Sequence, residues 1–164
     1  MAATAIDYYS DQATYLQNLR GDVLQQHDDI GKLYVYHFRF DNGTGSTIAA
    51  DSVIELGKVG QGLILPTSKI ICEDLGTSTT LDIGFDEYYK DDGTLVAADP
   101  DVLIDGADVS TAAINTDFHS IGTSSIKNAG FLLEGWAKLL VMPRVSTWAA
   151  GAELNVYLHV IHGK

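Results

Sequence analysis

The sequence predicts an all-β protein, a β-sandwich of jelly-roll type, and three observations support this fold class. Apolar and polar residues alternate with a period of two in most segments after residue 32, which is the pattern of half-buried strands. Clusters of Gly, Asp and Asn divide these segments into roughly seven or eight strands. The 164 residues are enough for one domain. Two four-stranded sheets would fit this count, whereas the Cys and Trp signature of an immunoglobulin-like sandwich is absent.

The chain divides into an N-terminal arm, residues 1–32, and a sandwich domain, residues 33–164. The arm is rich in Gln, Asp and Tyr and has no alternating pattern. Within it, Ser10 is placed to cap a short helix that Gly21 would end. The apolar residues that this helix would carry at helical spacing are Ala13, Leu16 and Leu19. Because the arm is too polar to build its own core, we expect it to lie on its own domain or on a neighbouring subunit.

The first strand of the domain is predicted at LYVYHFRF, residues 33–40. Its aromatic face consists of Tyr34, Tyr36, Phe38 and Phe40. Its other face consists of Leu33, Val35, His37 and Arg39. An aromatic row of this kind is most simply explained as core, and the turn residues DNGTGS that follow end the strand.

The middle strands are predicted at residues 52–59, 69–73 and 79–85. Pro66 ends the segment GQGLILP and indicates an edge strand or a crossover. In the third segment the pattern predicts that Leu81, Ile83 and Phe85 face the core. It predicts that the alternate residues Thr80, Asp82 and Gly84 face outward.

Residues 86–117 form a distinct acidic segment in which the single base is Lys90. Its acids are Asp86, Glu87, Asp91, Asp92, Asp99, Asp101, Asp105, Asp108 and Asp117. We expect a solvated insertion with a turn in YYKDDGT and a short helix over residues 109–115. An EF-hand is excluded because the fifth and sixth positions counted from Asp99 are Leu103 and Ile104. Another kind of calcium site stays open, since Ca²⁺ prefers clustered oxygens.

Apolar strand patterns return at residues 130–135, at 137–142 before Pro143, and at 153–162. In the last segment one face carries Leu154, Val156, Leu158 and Val160, and the other carries Asn155, Tyr157, His159 and Ile161. Such a regular strand so near the end of the chain is expected to pair inside a sheet.

Charge and composition exclude several classes of function. The formal net charge is −12, so we expect no binding to nucleic acid or to anionic membranes. One Cys excludes a disulfide framework. No apolar run has the length of a membrane span, and the N-terminus lacks the basic and apolar regions of a secretory signal. We therefore expect a soluble protein that folds in a reducing compartment.

No catalytic motif is present, and we predict a protein that is not an enzyme and needs no cofactor or metal. Cys72 lies in a strand-like run, where a buried, unreactive thiol is expected. His159 and His162 are three residues apart, which places them on opposite faces of a strand and does not favour a shared metal ion. Trp136 and Trp148 are candidate partner anchors, because Trp is enriched at binding hot spots. The alternative for each Trp is a role in core packing.

Residues 51–88 carry a resemblance to a known group of proteins. The segment DSVIELGKVGQGLILPTSKIICEDLGTSTTLDIGFDEY ends in a block, LGTSTTLDIG at residues 75–84, that resembles small virion proteins of tailed bacteriophages. The resemblance implies a head decoration (cement) protein with a β-sandwich that oligomerises on the head shell. The implied partner is the major capsid protein, and the implied location is the capsid surface of a virion assembled in the host cytoplasm.

Physical arguments are compatible with that role. Acidic exteriors repel neighbouring particles, and an arm that folds on binding gains contact area. The expected anchors in the arm are Ile6, Tyr8, Tyr9, Tyr15 and Leu16. A homotrimer would match a local threefold axis of a shell. The alternative function is a carbohydrate- or receptor-binding module of a phage fibre or tail, whose candidate aromatic residues are Tyr88, Tyr89, Trp136 and Trp148.

Overall fold

The computed structural model describes residues 32–44, 46–110, 114–121 and 130–162, together with the backbone of residues 8–9. These residues form thirteen strands and one turn of 3₁₀ helix. The prediction of an all-β sandwich is confirmed, while its jelly-roll connectivity and the division at residue 32 stay predictions. No helix among the described residues has the length and apolar character needed to cross a membrane. The helix predicted between Ser10 and Gly21 lies outside the described residues.

The first sheet has five strands, and its order differs from the order of the chain because strands from distant segments pair. Across the sheet, these are β1 (Tyr8–Tyr9), β3 (Ile54–Val59), β12 (Ala137–Arg144), β6 (Thr80–Phe85) and β9 (Asp99–Asp108). The β1–β3 pair is parallel, and the others are antiparallel. The acidic strand β9 therefore forms one edge of this sheet.

The second sheet has six strands built around the strand nearest the C-terminus. Its strands are β13 (Glu153–Ile161), β2 (Leu33–Asp41), β4 (Gly62–Ile64), β5 (Lys69–Cys72), β10 (Ile114–Asp117) and β11 (Phe131–Leu133). On one side β13 pairs with β2 over nine residue pairs. On its other side β4 and β5 lie end to end, and beyond them lie β11 and β10. A separate hairpin joins β7 (Tyr88–Tyr89) and β8 (Leu95–Val96).

The core lies between the two sheets and contains the predicted apolar faces. Phe38 and Phe40 of β2 are 5% exposed, while Leu33 and Val35 on the other face are exposed, as the alternating pattern predicts. In β13 the inward residues, all fully buried, are Leu154, Val156, Leu158 and Val160. Each fully buried side chain of this size contributes roughly 1.5–3 kcal/mol of hydrophobic stabilisation.

Several predictions about individual elements are wrong. The structure has more strands than expected, since short segments such as β4 and β10 pair beside longer strands. The helix predicted over residues 109–115 is contradicted at its C-terminal end, where Ile114 begins β10 and pairs with Cys72. Asp108, directly before the predicted helix, ends β9 and accepts a hydrogen bond from the Ser110 N–H. Pro66 follows β4 in a turn, and β4 itself lies between two other strands.

The described residues of the acidic segment are also more regular in structure than an exposed insertion would be. Ten of its residues form β9, which pairs with β6 in the five-stranded sheet. Asp82 and Gly84 lie on the outer face of β6, as predicted, but both are buried. They are covered because β9, whose register against β6 shifts near Gly106, folds against them. This arrangement depends on contacts distant in sequence.

Candidate interaction surfaces

The two tryptophans lie in opposite environments. The Trp136 side chain is 47% exposed, whereas Trp148 is fully buried. Trp148 packs against Phe40 with ring centroids 6.1 Å apart, and its backbone forms a bridge with Ile48. The burial of Trp148 corrects its assignment as a partner anchor, because a side chain enclosed in the core cannot contact another molecule. Trp136 keeps the exposure that such a role requires.

The hairpin of β7 and β8 projects beside Trp136. The Lys90 N–H donates to the Thr94 carbonyl at 2.9 Å, and the Gly93 N–H donates to the Lys90 carbonyl at 2.9 Å. Gly93 adopts a φ of 81°, which favours glycine, so the predicted turn in YYKDDGT is present. Because neighbouring residues of a strand point to opposite sides, Tyr88 is buried and Tyr89 is 65% exposed.

A surface pocket of about 270 Å³ lies between this hairpin and β11. Its wall includes Phe85 and Phe131, whose rings stack 5.8 Å apart. At its rim Lys90 forms an ion pair with Glu134, which raises the pKa of Lys90. The exposed apolar side chains at this end of the sandwich are Tyr89, Leu95, Leu132 and Trp136. We call the three that lie on or beside the hairpin, Tyr89, Leu95 and Trp136, the hairpin surface.

Strand β9 forms an acidic edge against β6. Asp82 of β6 is 3% exposed. Its Oδ1 accepts a hydrogen bond of 2.8 Å from the Gly106 N–H, and its Oδ2 lies 3.2 Å from Arg144 Nε. Burial raises the pKa of Asp82, which the Gly106 hydrogen bond and the Arg144 charge partly oppose. The carboxylates of Asp82, Asp101 and Asp105 lie within 4.8 Å of one another.

This acidic edge brings together carboxylate oxygens that a hard cation could use. However, the positively charged side chain of Arg144 already lies beside them. Because the Arg144 guanidinium contacts the buried carboxylate, part of the negative charge is balanced within the chain. Asp99 is also affected: burial and the neighbouring Asp101 raise its pKa. The calcium alternative stays an untested prediction.

His159, His162 and Cys72 make contacts that are typical of structural residues. His159 contacts Thr67, with Nδ1 and Oγ1 3.1 Å apart. His162 is buried and lies 2.9 Å from the Tyr36 hydroxyl. The Cys72 side chain is buried, and burial raises the pKa of its thiol to about 11. The thiol is therefore protonated at neutral pH, which disfavours a nucleophilic role.

The described backbone of the arm pairs with the chain's own domain. Tyr8 and Tyr9 lie parallel to Ile54 and Glu55 at the edge of the five-stranded sheet. This agrees, for these two residues, with an arm that lies on its own domain. The other arm residues selected as anchors lie outside the described residues; they are Ile6, Tyr15 and Leu16.

Comparisons with known proteins show a fold likeness. No protein-family model and no curated protein matches the chain. A solved structure described as the capsid of Ralstonia phage GP4 contains a chain that is similar to this one with a TM-score of 0.64. The likeness covers 98% of this chain and 99% of that chain, at 22% sequence identity. This chain shares the fold of that capsid chain.

Sequence reasoning missed the Asp82–Arg144 pair and the hairpin surface. An Asp inside the otherwise apolar strand TLDIGF was a signal of a buried charge, since an unpaired buried carboxylate is costly. Its partner could not be chosen from the sequence, because Arg144 is 62 positions away (144 minus 82) and its position depends on β12 pairing with β6. The hairpin surface likewise depends on how β11 packs beside a distant hairpin.

Proposed function

We propose that this protein is a structural component of a tailed-phage virion and, more specifically, a capsid decoration protein that binds and stabilises the head shell. The observation that carries the proposal is the fold shared with a phage capsid chain over 98% of this chain. The net charge of −12 supports an exposed position on a crowded particle, because like charges keep neighbouring surfaces apart. The proposed partner is the major capsid protein, and the proposed location is the outer surface of the capsid.

The proposed contacts with the shell are the arm and Trp136. The arm anchors are Ile6, Tyr8, Tyr9, Tyr15 and Leu16. Tyr and Trp suit this role because they combine a large apolar area with a polar group. We also propose that the protein is a homo-oligomer, with a trimer as the stoichiometry that fits a local threefold axis of a shell.

The proposal is tested first on the particles of the phage that encodes this chain. Peptides of the protein should be found in purified virions at a copy number comparable with that of the major capsid protein. Cryo-electron microscopy should then show density of the shape of the sandwich on the outside of the head. Absence of the protein from purified virions would reject a virion role, and a position in the tail would reject decoration.

The contacts are tested by co-sedimentation with heads that lack the protein. Deletion of residues 1–20 and the substitution Trp136→Ala should each reduce binding, while Val145→Ala should not. Val145 is a suitable control because it is exposed and lies outside the hairpin surface. Circular dichroism would establish that each variant keeps its strands. Unchanged binding by the truncated protein would contradict the role of the arm.

A second candidate function, carbohydrate or receptor binding by a phage fibre or tail, is favoured by one observation. Two exposed aromatic side chains, Tyr89 and Trp136, lie beside the surface pocket, and sugars are commonly bound against aromatic faces of this kind. The burial of Tyr88 and Trp148 removes the other two candidates. Binding on a glycan array that disappears in both Tyr89→Ala and Trp136→Ala would support this function; an array without binding would exclude glycans.

A further inference from the structure

An exposed aliphatic row crosses the outer face of the six-stranded sheet. The register places Leu132 opposite Leu63, Leu63 opposite Ile161, and Ile161 opposite Leu33. Directly paired residues of antiparallel strands project to the same face. Four aliphatic side chains from β11, β4, β13 and β2 therefore form one continuous row, which we call the aliphatic row.

The aliphatic row is open to solvent at both ends. Leu132 is 59% exposed and Leu33 is 57% exposed, while Leu63 and Ile161 between them are half-buried. Val35, the next outward residue of β2, is 55% exposed. Large aliphatic side chains on the outer face of a sheet weaken solubility when they are contiguous, and such patches commonly mark interfaces.

The charge near the aliphatic row is unlike that of the whole chain. The adjacent outward positions carry His159 opposite Val35, and Tyr157 opposite His37. The His37 and Tyr157 rings stack 4.3 Å apart. At the same level of the sheet, Lys69 and Asp117 form an ion pair of 3.5 Å. The half of the outer face that runs from the aliphatic row to the level of Lys69 contains one acid among its described strand residues, Asp117, and this acid is paired. The whole chain, in contrast, has 22 acidic and 10 basic residues.

We propose that this half of the face is the surface through which one copy of the chain packs against a second copy. Two copies that carry a net charge of −12 repel each other across most of their surfaces. They can approach with the least repulsion where the surface is neutral and apolar, and such a surface is complementary to itself. A partner with a strongly basic surface would instead fit the acidic edge at β9.

The size of this half of the face fits the centre of such a contact. Strands lie about 4.8 Å apart and rise about 3.3 Å per residue, so half the length of β2 across four strands covers roughly 300 Å² in projection. A standard interface buries roughly 800 Å² per partner. The aliphatic row therefore forms the apolar centre of the proposed interface, and the surface around it supplies the remaining area.

The proposal deepens the homo-oligomer part of the proposed function, but its test needs no phage particle. Sedimentation velocity and light scattering of the full chain should give a mass of at least two chains of 17.7 kDa each. Leu33→Asp and Val35→Asp each place a charge in the face and should weaken the association at least roughly tenfold. Both positions are exposed, so the variants should keep the wild-type circular dichroism and thermal midpoint.

Leu95→Asp is the matched control, because Leu95 is 49% exposed but belongs to the hairpin surface. It adds the same charge to the chain and should leave the mass unchanged. A wild-type chain that stays monomeric at all concentrations overturns the proposal, as does an oligomer that dissociates with Leu95→Asp and not with Leu33→Asp. An oligomer that dissociates as expected but is absent from virions would support this interface while rejecting the proposed function.

Discussion

Arg144 Nε lies 3.2 Å from Asp82 Oδ2, and this contact joins the ends of two adjacent strands of the five-stranded sheet. The two side chains differ in exposure: Asp82 is almost fully buried, whereas about half of the Arg144 side chain is exposed. The same Arg144 also contacts Asp51 at 2.8 Å. Arg144 therefore connects the buried carboxylate to the surface, and the Gly106 N–H fixes the other oxygen of Asp82.

We expect Asp82→Asn to gain stability relative to the wild type as the pH rises. Burial raises the folded-state pKa of Asp82 above its ordinary value of 3.8. The folded wild type therefore holds the proton more tightly than the unfolded chain, and it loses stability as the pH rises through the interval above 3.8. Asn has no such titration and keeps an acceptor for Gly106. Urea unfolding from pH 3 to pH 7 measures the difference, which should be within about 1 kcal/mol at neutral pH.

A wild type that gains stability over Asp82→Asn across the same interval would contradict this prediction. It would mean that attraction to Arg144 outweighs burial and that the folded-state pKa is lowered.

Glu153→Gln should show the opposite dependence on pH. Hydrogen bonds from Arg39 and Asn155 lower the pKa of Glu153 from 4.5 to about 2. The stabilisation from ionised Glu153 is therefore fully present above 4.5 and is lost as the pH falls from 4.5 to about 2. The variant should be less stable than the wild type at neutral pH and equal to it near pH 2. In a chain that carries Arg39→Gln, the effect of Glu153→Gln on stability should depend much less on pH. A stability difference between the wild type and Glu153→Gln that grows towards low pH would contradict the lowered pKa of Glu153.

Gly84→Ala should separate β9 from the five-stranded sheet. A Cβ at this position would overlap the backbone at Asp99 and Pro100, and a backbone cannot move aside as a flexible side chain can. We expect a loss of about 3 kcal/mol or more, together with faster hydrogen exchange of amides in β9. Gly43→Ala is the control: its φ of 67° is strained for Ala, but its Cβ would meet open space. The control should cost only about 1 kcal/mol and leave β9 protected.

The alternating pattern was sufficient to predict the strands with one apolar face. The inward and outward residues of β2 and β13 follow the sequence directly, because each of these strands has one face against the core and one towards solvent. The pattern failed at β6, where Asp82 and Gly84 alternate with core residues and are nevertheless buried. The neighbouring strand β9 bends over the outer face there, and local periodicity carries no information about such a contact between distant segments.

The candidate surfaces were less predictable for the same reason. Trp136 and Trp148 each follow a small or polar residue and precede an Ala in the sequence, yet only Trp148 is enclosed. The aliphatic row required the register of four strands, and its members come from positions as far apart as Leu33 and Ile161. Exposure of a single aliphatic residue is common, so the sequence alone gave no reason to group them.

The two tryptophans of the chain should report the core and the surface separately. Trp148→Phe leaves the exposed Trp136, so emission should lie at longer wavelength and iodide should quench it efficiently. Trp136→Phe leaves the buried Trp148, so emission should lie at shorter wavelength and resist iodide. Similar quenching in the two variants would contradict the assigned burial.

Substitutions of the two tryptophans should also differ in their effect on the free energy of unfolding. Trp148→Ala should cost about 3–5 kcal/mol because it leaves a large cavity beside Phe40. Trp148→Phe should cost less: it keeps most of the ring volume and removes a buried indole N–H that has no hydrogen-bond partner among the described residues. Trp136→Ala should change the free energy of unfolding by about 0.5 kcal/mol or less. If Trp136→Ala also weakened binding to shells, that loss would reflect a contact with the partner, since the fold would be intact.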